Sequence, residues 1–377
     1  MEWYESEDRA LFAETAAKYA AWTLKSIVEE KLTGRTTADE FNPEIIRQAA
    51  AAGLLTAPLP EDQGGAGLDG LGRAIVLERM ARGRAGAAVI LAAHWTGLSA
   101  LSSLPNQEKV GSWLAERANQ ARAENPWLCG VAVPAAVKNV KDGLDPQATE
   151  SGEKVMLSGE WTCPLHPSLV ERLAIAVPPS DGDPKVLWLF GKDLAPYCQN
   201  AFPGTGLLEL PTCRLVLQSL EAPAGDVLAR GDQALAITDR IWRELYLGLA
   251  AVMVGNAAAA FAYAWEYARE RVQTGRLIIE HQEVRRMLEH MNTLVEAAWA
   301  MVTTAAAVSD SRMALDRSRR AYTFCGSAGE QVCLDAIQCL GGYGYMEDYG
   351  LERRLRDVKS IQCLLGSHSL DWIGERC

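Results

Sequence analysis

Three stretches of this 377-residue chain, at about 233–271, 280–309 and 312–340, carry Ala, Leu, Met and Trp at helical spacing with no proline among them. Helices of that length are not stable alone in water, because an isolated apolar stripe has nothing to cover it. The last part of the chain must therefore be a packed bundle. Its runs of alanine let helix axes approach closely, and they would serve a contact between subunits equally well.

Upstream the texture differs. Up to about Pro126 the chain alternates helical periods with turn signals. In "DRALFAETAAKYAAWTLKSIVEE", Phe12, Ala16, Tyr19, Ala20 and Ile27 fall on one stripe. In "NPEIIRQAAAAGLL", Asn42 suits an N-cap, Pro43 the first helical position and Gly53 a stop. Further helices are predicted in "GLGRAIVLERMARG" and "NQEKVGSWLAERANQARAE". From about Trp127 to Gly225 helical periods give way to short runs such as "KVMLSGEW", "LAIAVP", "KVLWLFG" and "CRLVLQSL", separated by Gly, Pro, Asp and Ser. That is the pattern of a β-rich domain. Helices, then strands, then long helices disfavours the Rossmann and TIM architectures, in which strands and helices alternate. The expectation is a multidomain α+β chain with an N-terminal all-α domain at 1–126, a middle β domain at 127–228 and a C-terminal helical bundle at 229–377.

Charge narrows the partners. With 37 Lys and Arg against 48 Asp and Glu, the net charge of -11 repels phosphodiesters and anionic lipid, so neither nucleic acid nor a membrane is an expected partner. The opening "MEWYESEDRALFAE" lacks the basic start and apolar run of a targeting peptide. No segment is expected to reach the roughly 20 apolar residues of a membrane span. These features predict a cytoplasmic protein. Nine cysteines (Cys129, Cys163, Cys198, Cys213, Cys325, Cys333, Cys339, Cys363 and Cys377) form no CxxC pair. Five histidines (His94, His166, His281, His290 and His368) show neither HxH nor HExxH spacing. No metal site is expected, and the thiols read as small side chains of a reducing compartment.

"GAGLDG", with Gly65, Gly67 and Gly70, matches GxGxxG on paper, but "PLPEDQG" before it is a loop and not the strand that a dinucleotide fingerprint needs. The C-terminal half holds more. "RERVQTGRLIIEHQ" joins a basic helix end to a glycine, and "AIQCLGGYGY" ends a helix in a double glycine. A guanidinium pairs two phosphate oxygens and glycine permits close approach, so both suit a pyrophosphate contact as well as a capped helix end.

Together these segments resemble the acyl-CoA dehydrogenase family of flavoproteins, over nearly the whole chain. "GLLTAPLPEDQGGAG" is similar to a turn in the family's helical opening, Arg271 to Gly275 to its RxxFG motif, and "AIQCLGGYGYMEDYGLERRLRDVKS" to its Q-x-x-GG-x-GY segment and following RD run. The resemblance implies a subunit with an N-terminal helical domain, a middle β-barrel-like domain and a C-terminal four-helix-bundle domain, packed as a dimer or a dimer of dimers. It also implies FAD, an acyl-CoA substrate and an electron-transferring flavoprotein as acceptor. In such enzymes a carboxylate takes the α-proton of the thioester while hydride leaves the β-carbon for the flavin.

The departures from the family follow a pattern. Counting from Arg356 and Asp357, the usual catalytic glutamate falls at Leu365, followed by Gly366 and Ser367. The position used by a minority of the family falls at Leu245, beside Tyr246; Glu244 is one residue away, about 100° around a helix, and is the candidate for a displaced base. Where the family has a Thr-Glu-Pro loop and a Trp-Ile-Thr/Ser strand against the flavin, this chain reads "GVAVPAAVKN" and Cys163, Pro164, Leu165. Arg271, Gln273, Gln338, Gly341 and Gly342 are kept, although Thr274 replaces a phenylalanine. The resemblance assigns them, with Ser367, to FAD binding, chiefly to the ADP half of the FAD held by a neighbouring subunit. The expectation is a heteromeric acyl-CoA dehydrogenase in which a related subunit carries the glutamate, with a lean by analogy to a bulky or alicyclic acyl group. Two alternatives remain: a homomeric acyl-CoA flavoenzyme using Glu244 or an elimination chemistry, and a flavin-free scaffold of the same fold.

Overall fold

The computed structural model describes residues 6–28, 41–102, 126–134, 145–179, 184–200, 206–308 and 311–365, with parts of 110–117. Four helices come first: α1 (Glu7–Val28), α2 (Glu44–Ala51), α3 (Gly70–Ala81) and α4 (Ala85–Ser102). The α1 stripe buries Ala16, Tyr19 and Ala20, and the Tyr19 hydroxyl donates to the Ile45 carbonyl at 2.8 Å, fixing α1 on α2. Asn42 caps α2 as predicted, its Oδ1 accepting from the Glu44 N–H at 3.0 Å. The predicted helix in "NQEKVGSWLAERANQARAE" lies mostly outside the described residues, but those described there are helical.

Helix α4 has no counterpart in the sequence reading. Every residue from Ala85 to Leu101 is buried, so no wet face imposes a 3.6-residue period, and the segment reads only as an apolar run. α4 and the later α5 (Gly231–Glu270) are also long and apolar enough to cross a membrane, contrary to the expectation that no segment would be. Their apolar windows are 94% and 78% buried inside the protein, as core helices are.

The middle of the chain forms β1 (Cys129–Pro134), β2 (Gln147–Ser151), β3 (Lys154–Cys163), β4 (Arg172–Val177), β5 (Lys185–Phe190), β6 (Cys198–Asn200), β7 (Cys213–Pro223) and β8 (Val227–Arg230). They make one mixed sheet in the order β6-β7-β3-β1-β4-β5-β8, with β2 beside β3. β1 runs parallel to β4 and antiparallel to β3. The barrel-like expectation thus takes the form of an open sheet, whose described pairings do not close. α4 is strapped to it by His94, whose Nδ1 accepts from the Cys129 N–H at 2.9 Å while Nε2 lies 3.2 Å from the Leu55 carbonyl. Burial holds this imidazole neutral, with its pKa pushed down to about 4.

After the sheet come α5, α6 (Gln282–Ala306), α7 (Ser311–Leu340) and α8 (Leu351–Leu364), the four helices of the expected bundle. The 40 residues of α5 make a rod of roughly 60 Å that packs on α3, α4, α6 and α7. The crossing with α3 is close: a Cβ at Gly255 would sit 2.0 Å from the Glu78 carbonyl oxygen. Polar clamps hold the three regions together. Arg354 on α8 donates to Asn256 Oδ1 on α5 and to the Arg82 carbonyl after α3, at 3.0 and 2.8 Å. Asp357 accepts from the Leu207 N–H at 2.7 Å, and Glu209 accepts from the Gly86 N–H at 3.1 Å.

Candidate functional site

At the far end of the bundle α5 stops at Arg271, and the chain makes a tight hairpin of β9 (Val272–Gln273) and β10 (Arg276–Leu277). Its two turn residues, Thr274 at φ +51° and Gly275 at φ +82°, both take positive φ, as a two-residue hairpin of this hand requires. Opposite, α7 ends at Leu340, and Gly341 at φ +60° supplies the left-handed residue that stops the helix.

Between the two lies an open cavity of about 310 Å³, lined among others by Tyr267, Arg271, Gln273, His281, Gln338 and Gly341. Four of the six residues predicted to touch FAD thus share one cavity. Gly342 follows directly, and a Cβ built there would meet nothing within 4 Å, so no close packing in this chain demands a glycine. Ser367 lies outside the described residues. Arg271 is exposed, with its guanidinium 5.7 Å from the centre of the Tyr343 ring. Arg276 donates to His281 Nδ1 at 3.0 Å. A forked guanidinium, two primary amides and a helix end opened by glycine fit a diphosphate and its attached sugar. The sequence did not single out Tyr267, half-buried at the cavity, because helical spacing cannot say which aromatic borders a cavity.

The catalytic end is different. Leu365 closes α8 and is buried, and so is Leu245. Tyr322 donates to the carbonyls of Ile361 and Gln362 at 2.7 and 3.1 Å. Its ring lies 5.3 Å from Tyr246, which stacks on Trp242 at 5.4 Å, so an aromatic column fills the space between α5, α7 and the end of α8.

Glu244, the candidate for a displaced base, is enclosed by arginines. Its side chain is 7% exposed and binds Arg73 at 2.8 Å and Arg243 at 2.6 Å. Burial alone would raise its pKa, but Arg73, Arg243 and Arg240 outweigh burial and hold the carboxyl below its ordinary value. A carboxylate so stabilised is a weak base. The cavity beside it measures about 10 Å³, room for a water at most. Arg73 lies 171 residues away in sequence, so spacing gave no sign of the pair.

On the sheet, Cys163 is paired with Cys213 at the end of β3, and Cys163, Leu165 and Trp161 are all fully buried. The Trp161 indole donates to the Ala176 carbonyl at 2.8 Å, which turns it into the sheet core. Pro164 has no N–H to offer. The counterpart of the Thr-Glu-Pro loop, read in "GVAVPAAVKN", is described only up to Pro134, within β1, and residues 135–144 lie outside the described residues.

Family models of the acyl-CoA dehydrogenase N-terminal and C-terminal domains match residues 6–120 and 246–372. An acyl-CoA dehydrogenase of Bacillus subtilis is 27% identical over 338 residues, 88% of each chain. A subunit of a caffeyl-CoA reductase-Etf complex from Acetobacterium woodii is 25% identical over 372 residues, 94% of each chain. In fold, the solved butyryl-CoA dehydrogenase of Megasphaera elsdenii superposes with a TM-score of 0.82 at 22% identity, over 99% of this chain and 98% of that one. With both terminal regions matched and the likeness running nearly end to end, the chain belongs to the acyl-CoA dehydrogenase family, FAD-dependent oxidoreductases acting on acyl-CoA.

Proposed function

We propose that this chain is one subunit of a heteromeric acyl-CoA dehydrogenase and completes the FAD site of a related partner chain that carries the catalytic glutamate. One contrast carries the reading. Arg271, Gln273, Gln338 and Gly341 are exposed around a single open cavity, while both positions for a base, Leu365 and Leu245, are buried leucines. Bound FAD would supply the two-electron oxidation of the acyl-CoA.

This chain's own residues bind and orient. The Arg271 guanidinium pairs with phosphate oxygens, backed by the Tyr343 ring, and the Gln273 and Gln338 amides supply neutral hydrogen bonds. Gly341 and Gly342 keep the end of α7 free of side chains. The relative from an Etf complex supports an electron-transferring flavoprotein as acceptor. The substrate in this reading is an acyl-CoA with a bulky or alicyclic acyl group, and the complex works in the cytoplasm. A homomeric enzyme with Glu244 as base gains no support from a carboxylate enclosed by arginines. A flavin-free scaffold would leave the convergence of Arg271, Gln273 and Gln338 without a purpose.

The test is Arg271→Ala in this chain, co-expressed with an acyl-CoA dehydrogenase-like partner. Losing a charge-assisted hydrogen bond is worth about 1.5–3 kcal/mol, so FAD should be held roughly 10- to 100-fold more weakly by the complex. Unchanged flavin retention overturns the proposal.

A further inference from the structure

Three side chains with no part in the flavin reading meet at one end of the sheet. Cys198 opens β6, Cys213 opens β7, and His166 lies just past the end of β3. β6 and β7 pair antiparallel with Cys198 opposite Leu215 and Asn200 opposite Cys213. The two cysteines therefore share one face of the sheet as a diagonal pair. Their sulfurs are 2.7 Å apart, and one ligand atom from each of the three residues lies within 4.8 Å of the others. Cys213 is buried, while Cys198 and His166 are half-buried and open a route from solvent.

His166 is held in place from two sides. Its backbone N–H donates to the Pro211 carbonyl at 2.9 Å, and its Nδ1 lies 2.8 Å from Ser168 Oγ and 3.3 Å from the Ser168 backbone nitrogen. In the tautomer with its proton on Nδ1, that N–H donates to Ser168 Oγ, and Nε2 is the unprotonated ring nitrogen left for a ligand bond. A histidine oriented through its second nitrogen is the usual arrangement at metal centres.

We propose that Cys198, Cys213 and His166 form a zinc site. Two thiolates and an imidazole suit Zn²⁺ and disfavour Mg²⁺ and Ca²⁺, which prefer oxygen. Zn–S bonds of about 2.3 Å and Zn–N bonds of about 2.0 Å place tetrahedral ligands roughly 3.5–3.8 Å apart, inside the present spread; the sulfurs need to part by about 1 Å. Binding releases the two thiol protons to solvent and leaves a fourth position for water. The metal would pin the edge strand β6 to β7 and to the segment leaving β3. The three ligands come from separate segments with no metal-type spacing, which is why the sequence argued against a metal.

The test uses the full-length chain, reduced, loaded with Zn²⁺ and desalted. Retention of about one zinc per chain is expected. Cys198→Ser and His166→Asn should each weaken retention at least tenfold, with circular dichroism of the metal-free proteins unchanged. Co²⁺ in place of zinc should give a thiolate-to-cobalt charge-transfer band that weakens in Cys198→Ser. No retained zinc in the reduced protein, wild-type retention in either variant, or a Cys198 to Cys213 disulfide that forms in the presence of excess zinc each overturns the proposal.

Discussion

Glu244→Gln should destabilise the fold while leaving the chemistry of an assembled complex intact. The carboxylate is buried against Arg73 and Arg243, whose side chains are 16% and 24% exposed. Removing one partner of a buried ion pair costs about 3–5 kcal/mol, and because both arginines keep a path to water we take the lower end, about 3 kcal/mol. At about 2.1 cal/mol/K per residue, the unfolding entropy of a chain this long is about 0.8 kcal/mol/K, so Tm should fall by about 4 °C if the chain unfolds as one unit. The pH dependence has a definite sign. The folded pKa lies below the unfolded one, so the stabilisation is present at neutral pH and is lost as pH falls through the depressed folded value. The gap between wild type and variant should therefore be full at pH 7 and close as the solution is acidified below about pH 4. Calorimetry across that range measures the gap, and turnover of the co-expressed complex, corrected for folded protein, should stay near wild type. An unchanged Tm with abolished turnover would refute this reasoning and make Glu244 the base.

Two further substitutions probe the frame. Gly206→Ala would place a Cβ 2.2 Å from the Arg356 carbonyl oxygen and push the loop off α8, straining the Leu207 to Asp357 hydrogen bond; a loss of about 2–4 kcal/mol in urea unfolding is expected, and none would contradict the packing. Thr274→Asn should stabilise the protein by about 1 kcal/mol, because a β-branched residue at φ +51° is strained where asparagine is tolerated. An unchanged urea midpoint in that variant would mean that the turn relaxes in solution.

Legibility followed wet faces and local spacing. α5, α6 and α7 could be read because long stretches without proline have few alternatives, and the α2 start because Asn42 and Pro43 act locally. α4 could not, since burial on every side erased its period. Leu365 at the family's usual base position was found by counting from Arg356 and Asp357, yet only the fold shows it enclosed near Tyr322. The resemblance assigned Arg271 and Gln338 to one FAD contact, and the hairpin after α5 and the stop of α7 bring them to one cavity. The ion pair of Glu244 was not legible because its partner Arg73 comes from a helix far away in sequence. The sheet was expected to be barrel-like, but the open path from β6 to β8 depends on pairings that no single strand records.

Flavin content per chain, from the visible absorption spectrum, tests the shared site most directly when measured on this protein purified alone and then with an acyl-CoA dehydrogenase-like partner. The chain alone should carry no flavin, and the complex should carry one FAD for each pair of unlike chains. One flavin per chain in the lone protein would contradict the shared site and return the search for a base to this subunit.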